Sequence, residues 1–326
     1  MAEVSGSGRL TTHGVAEFGL GETTGDQVAG PTCLVLGNFD GVHIGHQAIL
    51  AAAALEAGRT RAELTAITFE PHPRTVIEPG RSLPLLSPFE LKRRLLVESG
   101  VDRLWVIPFD ERVRRMSPDT FMDRLRDRLR IETMVVGPTF SIGKGAEGRL
   151  DFLREYASRG GFSVGLVDAL LWEGEAVSSS AIRSRLAEGA LGAVGAMLGR
   201  PFQVLGVVVH GDGMGRQLGF PTANLELPSL QALPPDGVYV MELELATGER
   251  LQAVGSLGTR PHFGGQERRF EVHCLEDPGD LYGEMVRVSV LRLLRPQEKF
   301  ASDHALVERM TRDVELAAAH FAQPLT

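Results

Sequence analysis

Gly37-Asn38-Phe39-Asp40-Gly41-Val42-His43-Ile44-Gly45-His46 follows a β-type run, Cys33–Leu36, and leads into a helical pattern over Gly45–Ala57. A strand, a glycine-punctuated turn and a helix start form the first half of a βαβ unit. Working outward, strand-like and helix-like segments keep alternating: strand Glu63–Phe69, helix Pro88–Ser99, strand Arg103–Ile107, helix Pro118 to about Arg130, strand Thr133–Val136, helix Leu150–Ser158, strand Ser163–Val167. Ser87 with Glu90 spells a capping box, and Ser117-Pro118 puts proline at a first helical position. The pattern predicts a parallel sheet covered by helices.

After residue 200 the pattern changes. Short alternating runs (Gln203–Val209, Gly237–Leu245, Leu251–Ser256, Arg269–Leu275, Met285–Leu291), separated by Gly, Pro and Asp, predict an antiparallel sheet or barrel, and Ser302–Ala322 predicts a terminal helix packed on it. The expected fold class is therefore α/β followed by β, in a chain of 326 residues, longer than the roughly 100 to 200 residues usual for one domain. The expected division is a flexible tail over 1–30, a first domain over 31–199 and a second over 200–326. The tail segment holds seven glycines and no sustained apolar stretch.

Composition narrows the function classes. A net charge of −8 gives no support to broad binding of nucleic acid or of an anionic membrane. No apolar run approaches the ~20 residues needed to span a bilayer. Two cysteines, Cys33 and Cys274, exclude a multi-disulfide scaffold and read as packed thiols. The expected setting is cytoplasmic, with small molecules as partners.

Glycines 37, 41 and 45 let the first loop turn tightly and approach a ligand, and the helix start that follows offers N–H groups to phosphate. His43 and His46, three apart, project from one side and can donate to phosphate oxygens. As metal ligands they lack a third partner at zinc-like spacing. A second loop, Gly206-Val207-Val208-Val209-His210-Gly211-Asp212-Gly213-Met214-Gly215-Arg216-Gln217-Leu218-Gly219-Phe220-Pro221-Thr222-Ala223-Asn224-Leu225, leaves a strand, wraps a candidate nucleotide site and sets Thr222 and Asn224 at alternate positions on one side, where they could meet magnesium.

The first loop resembles the G-x-F-D-G-x-H-x-G-H signature of the nucleotidyltransferase superfamily, in the form carried by bacterial bifunctional riboflavin kinase/FAD synthetases. Thr68-Phe69-Glu70-Pro71-His72-Pro73, Gly137-Pro138-Thr139-Phe140-Ser141-Ile142-Gly143 and Ser178-Ser179-Ser180-Ala181-Ile182-Arg183 extend the likeness in the family's order. The second loop resembles that of the flavokinase domain. It is followed in order by Pro235–Tyr239, Gly255–Gly264, Glu271–Leu275 and Gly279–Gly283.

The resemblance implies a Rossmann-like nucleotidyltransferase domain followed by a flavokinase β-barrel. The implied reactions are riboflavin to FMN, then FMN to FAD with release of pyrophosphate, using ATP, flavin and Mg2+. It implies catalytic roles for His43, His46 and the general base Glu271. ATP and phosphate contacts fall to Gly37, Asp40, Gly41, Gly45, Ser179, Ser180, Arg183, Gly211, Gly213, Gly215 and Asn224. Flavin contacts fall to Phe69, Pro71, His72, Pro73, Phe140 and Arg260, and the metal to Thr222. Thr139 stands where the family usually has Asp or Asn, Ser141 where it often has Arg, and Ser180 in place of Thr. Two other readings remain: a kinase whose first domain is a degenerate nucleotide-binding module, and a flavin-binding regulator without turnover.

Overall fold

The computed structural model describes residues 15–17, 28–258 and 268–322. The chain forms two compact units, Met1–Leu83 with Phe89–Ser178, and Pro84–Pro88 with Ser179–Thr326.

The first unit runs β1 (Val15–Glu17), β2 (Val28–Leu36), α1 (Ile44–Thr60), β3 (Glu63–Glu70), α2 (Pro73–Ile77), α3 (Phe89–Glu98), β4 (Arg103–Pro108), α4 (Glu111–Arg115), α5 (Pro118–Arg126), β5 (Leu129–Val136), α6 (Leu150–Gly160), β6 (Ser163–Leu166) and a small hairpin, β7 (Leu171–Trp172) with β8 (Glu175–Ala176). The six-stranded sheet has the order β1-β4-β3-β2-β5-β6 and is parallel throughout. β3 is buried along both faces, as a strand covered by helices on each side must be. The core on one side gathers Leu34, Ile67, Phe69, Trp105, Phe121 and Leu153.

Two boundaries differ from the sequence reading. The stretch 1–30, expected to be a tail, contributes the strand Val15–Glu17 beside β4 and the first residues of β2. The helix expected to reach Arg130 stops at Arg126, because Leu129–Val136 is claimed by the central sheet. Ser117 caps that helix as its Ser-Pro pair implies: its side chain accepts from Thr120 N–H at 3.2 Å.

The second unit runs α7 (Ser179–Ala187), α8 (Leu191–Leu198), β9 (Phe202–Val209), α9 (Met214–Gln217), β10 (Ala223–Glu226), β11 (Gly237–Glu244), β12 (Arg250–Gly258), β13 (Arg269–Cys274), β14 (Met285–Pro296) and α10 (Asp303–Phe321). Its six strands close into an antiparallel barrel, β10-β13-β12-β11-β14-β9. β13 alternates half-buried and buried residues, the period-2 signature of a strand with one face to the core. α10 starts at Ser302, whose hydroxyl accepts from Ala305 N–H at 3.2 Å, and packs Val314 and Ala317 against Val238, Val240 and Val254. α8 packs on β9 and β14, which groups residues 179–198 with the barrel. Leu85 joins the same unit through backbone hydrogen bonds with Leu230 and Ala232.

Candidate functional site

In the first unit the strand order reverses at β2. The chain builds outward through β3 and β4, then returns to place β5 on the other side of β2. Loops leaving the carboxyl ends of β2 and β5 therefore flank a switch-point crevice, the position where open α/β sheets bind ligands. The β2 loop is the Gly37–His46 segment, and the β5 loop is Gly137–Gly148.

The β2 loop is tightly built. Phe39 and Val42 hold φ of 50° and 38°, strained for non-glycine residues and most so for a β-branched valine. Both are 1% exposed, so packing enforces the conformation. Gly37 N–H bonds to Ile67 O at 3.1 Å, so this glycine fixes the loop to β3. His43 is the N-cap of α1: its Nδ1 accepts from His46 N–H at 3.3 Å. One helix-start amide expected to face phosphate is thus taken by a side chain. That bond also sets the neutral tautomer, leaving Nε2–H of His43 as a donor.

The two imidazoles stack, with centroids 3.7 Å apart and planes at 18°, and Phe39 meets His46 edge-on at 5.2 Å. A Cβ on Gly45 would lie 3.2 Å from the His43 ring, so Gly45 leaves room for the capping imidazole. Burial, reinforced by the neighbouring His43, holds the His46 pKa well below its ordinary 6.5. His46 Nδ1 is buried and has no hydrogen-bond partner among the described residues.

The other expected residues of this unit fall in three groups. Phe69 and Phe140 belong to one core cluster, Phe69 8% exposed and Phe140 partly buried against it. His72 is the N-cap of α2, accepting from Arg74 N–H at 3.2 Å, between an exposed Pro71 and a half-buried Pro73. Asp40 is buried and Gly41 turns at φ 84°. Thr139 and Ser141 are both exposed on the β5 loop.

In the second unit Ser179 and Ser180 open α7, and Arg183, one turn on, donates to Ser180 Oγ at 3.3 Å. In the barrel, Asn224 of β10 pairs directly with Glu271 of β13, so their side chains share a face, and on its other edge Asn224 registers with Val209, just before the glycine loop. The loop folds back on this pair. A Cβ on Gly211 would overlap the Asn224 amide, and one on Gly215 would meet Phe220 O and lie 3.0 Å from Thr222 Oγ1. Only glycine admits such contact. Gly213, between them, turns at φ 70°. Asp212 of the loop is held by Arg269 at 2.9 Å.

Two clefts meet at this point. One is apolar, walled by Leu218, Phe220, Val254, Phe300 and Met310, with Thr222 and Glu271 on its surface. The other carries charged side chains, Arg216, Glu276, Asp277 and Asp280, among apolar ones, and shares Thr222 and His273 with the first. His210 stacks on Tyr282 at 3.9 Å. Asn224 Oδ1 is buried with no hydrogen-bond partner among the described residues. No cluster of three or more His, Cys, Asp or Glu among the described residues could hold a metal by itself.

Two family models match the chain: FAD synthetase over residues 26–181 and riboflavin kinase over 198–321. The bifunctional riboflavin kinase/FMN adenylyltransferase of Escherichia coli K12 is 37% identical over 290 residues, covering 88% of this chain and 92% of that relative. Those of Listeria monocytogenes and Bacillus subtilis are 34% and 32% identical, each over 89% of this chain and 92% of theirs. The chain belongs to the bifunctional riboflavin kinase/FMN adenylyltransferase family.

As a member it carries both an FAD synthetase and a riboflavin kinase domain and is an enzyme, a phosphotransferase and a nucleotidyltransferase. A crystal structure described as a macrolide-efflux protein from Streptococcus pneumoniae has the same fold, with TM-score 0.81 at 29% identity over 93% of this chain and 98% of that one. No helix among the described residues is long and apolar enough to cross a membrane.

Sequence reasoning missed two charged features of this family member. Arg295 and Asp313 form a buried ion pair on the wall of the apolar cleft, with Nη2 to Oδ2 at 2.8 Å and side chains 10% and 4% exposed. A signal existed: Asp313 falls on the α10 stripe that holds Leu306 and Ala317, where a lone carboxylate requires a partner. The other is Lys92 on α3, buried among leucines. Arg260, expected to contact flavin, lies outside the described residues. Cys33 and Cys274 are the packed thiols expected, free and buried, each pushed by desolvation to about 11.

Proposed function

We propose that riboflavin phosphorylation runs at Thr222, Asn224 and Glu271 of the barrel unit, and that adenylyl transfer to the resulting FMN runs at the Gly37–His46 loop of the sheet unit. The observation that carries the kinase assignment is the Asn224–Glu271 cross-strand pair, with Glu271 on the wall of an apolar cleft that shares Thr222 with a second cleft. The apolar cleft suits an isoalloxazine ring, and the charged side chains of the second, Arg216 at the end of the glycine loop among them, suit a nucleotide with its metal. Glu271 accepts the proton of the ribityl 5′-hydroxyl as its oxygen attacks the γ-phosphorus. The bond to the β–γ bridging oxygen breaks, and ADP leaves.

Magnesium fits the donor set. It prefers oxygen ligands, keeps several waters and needs only one or two protein oxygens besides phosphate, which Thr222 Oγ1 and the orphaned Asn224 Oδ1 provide. When bound it neutralises phosphate charge. Gly211, Gly213 and Gly215 keep the loop close enough for its N–H groups to line the phosphates.

Adenylyl transfer needs no base, because the nucleophile is an FMN phosphate oxygen that is already anionic. It attacks the α-phosphorus of ATP and pyrophosphate departs. His43 Nε2–H and the neutral His46 stabilise charge at the α-phosphate. Ser179, Ser180 and Arg183 offer hydroxyls and a guanidinium at one helix start, the donor chemistry that pyrophosphate requires, supported by the Arg183–Ser180 bond. Phe69, Pro71, His72, Pro73 and Phe140 form the flavin side, Asp40 and Gly41 the loop beneath the phosphates. Two free buried thiols suit the reducing conditions of the cytoplasm.

The test is incubation of the full chain with riboflavin, ATP and Mg2+ and separation of the flavins by chromatography. FAD is the expected end product. FMN accumulating alone, also when FMN and ATP are supplied, would leave a kinase with a disabled first domain and point to Thr139. No product would favour the binding-protein reading.

A further inference from the structure

Lys92 belongs to none of the signature segments, yet it lies beside two of them, the loop after β2 and the end of β3. It occupies the face of α3 that carries Leu91, Leu95 and Leu96 and is 3% exposed. Its Nζ donates to the Phe69 carbonyl at 3.2 Å and stands 3.7 Å from Glu70 Oε2. Asp40 adds a second carboxylate field at the ammonium. Burial lowers the lysine pKa and the two carboxylates act against it.

An ammonium is kept out of water only where partners offset its lost hydration. Packing alone would be served as well by another leucine. The direct contacts come from the end of β3, Phe69 and Glu70, and Asp40 of the loop after β2 acts on the ammonium through its charge. Thr68 Oγ1 donates to Asn38 O at 3.3 Å, a second strut between the same segments.

We propose that Lys92 is a positioning residue for adenylyl transfer, tying the flavin-side segment Phe69–Pro73 to the loop that carries His43 and His46. Both reacting partners must sit in line with the α-phosphorus, so the spacing of these segments sets the approach of the FMN phosphate. The inference rests on the reading of that loop as the adenylyl-transfer site.

The experiment uses the full chain and measures FAD formation from FMN and ATP together with melting temperature. Lys92→Met is expected to lower kcat roughly hundredfold, the scale of a misplacement of about 1 Å, with KM for ATP changed only a few-fold and riboflavin phosphorylation unaffected. Lys92→Met with Glu70→Gln removes one of the carboxylates left without a counter-charge. It is expected to regain melting temperature while turnover stays low, because the Phe69 carbonyl still lacks its donor. Recovery of turnover together with stability would reduce Lys92 to a charge partner and overturn the proposal, as would undiminished turnover in either variant. Should neither fold, Lys92→Arg keeps the cation but moves the donor. Reduced turnover at unchanged melting temperature is then expected, and full turnover refutes the role. Undiminished FAD formation in His46→Ala would show instead that the underlying site reading has failed, whatever Lys92 does.

Discussion

On the proposed reading, the sheet unit and the barrel unit hold phosphate with different side chains, and the difference follows their nucleophiles. At the barrel site an alcohol must lose a proton as it attacks, and the site carries a carboxylate, Glu271, fixed by cross-strand pairing beside Asn224. At the sheet site the nucleophile is already an anion, and the loop carries two stacked imidazoles, one kept neutral by burial. Precision is also reached differently. The barrel sets side chains by register, and the glycine loop then closes on them. The sheet unit instead sets a strained loop by burial, with Phe39 and Val42 locked beneath the histidines.

That contrast is broken most sharply at the base. Glu271→Gln should lower FMN formation by roughly 10²–10⁴-fold, the usual worth of general base catalysis, while FAD formation from supplied FMN persists. Loss of both would mean that the two chemistries are not separate. Next in size, His46→Ala should lower FAD formation by roughly 10²–10³-fold, the scale of one preorganised charge-stabilising donor, and leave riboflavin phosphorylation intact in the same chromatographic assay.

A smaller effect concerns the barrel wall. Asp313→Asn removes the more buried of the two carboxylates on Arg295, leaving only Glu298 at 3.3 Å, and should cost about 1–3 kcal/mol, read as a lower melting temperature and a raised KM for riboflavin, since the pair lines the apolar cleft. An unchanged melting temperature would detach the ion pair from the cleft's architecture. Smallest is a pH effect in the sheet unit. The folded pKa of His46 lies below its ordinary 6.5, so the unfolded chain takes up a proton first as pH falls. Stability should therefore be undiminished above about 6.5 and decline below it, and His46→Asn should flatten that part of the melting-temperature profile.

The sequence read the strand, turn, helix order well, because alternation of buried runs with helical periodicity is local. It also picked out the glycine loops, whose close packing the structure shows, and the Ser117 cap. It read Val15–Glu17 as part of a tail, since three residues in a glycine-rich segment carry no period and become a strand only by pairing with β4. It divided the chain near residue 200, close to where the riboflavin kinase match begins at 198, whereas the contacts of α8 group residues 179–198 with the barrel.

By itself, then, the sequence determined the two architectures, their order and the two glycine loops, because periodicity, glycine placement and motif spacing are written along the chain. Only the tertiary structure decided that Asn224 faces Glu271, that His43 caps the helix its partner His46 stands on, that Arg295 finds Asp313, and that Lys92 meets the end of β3. Each of these joins residues whose meeting depends on strand register, loop closure or helix docking, and a buried charge declares its purpose only once its partners are in place.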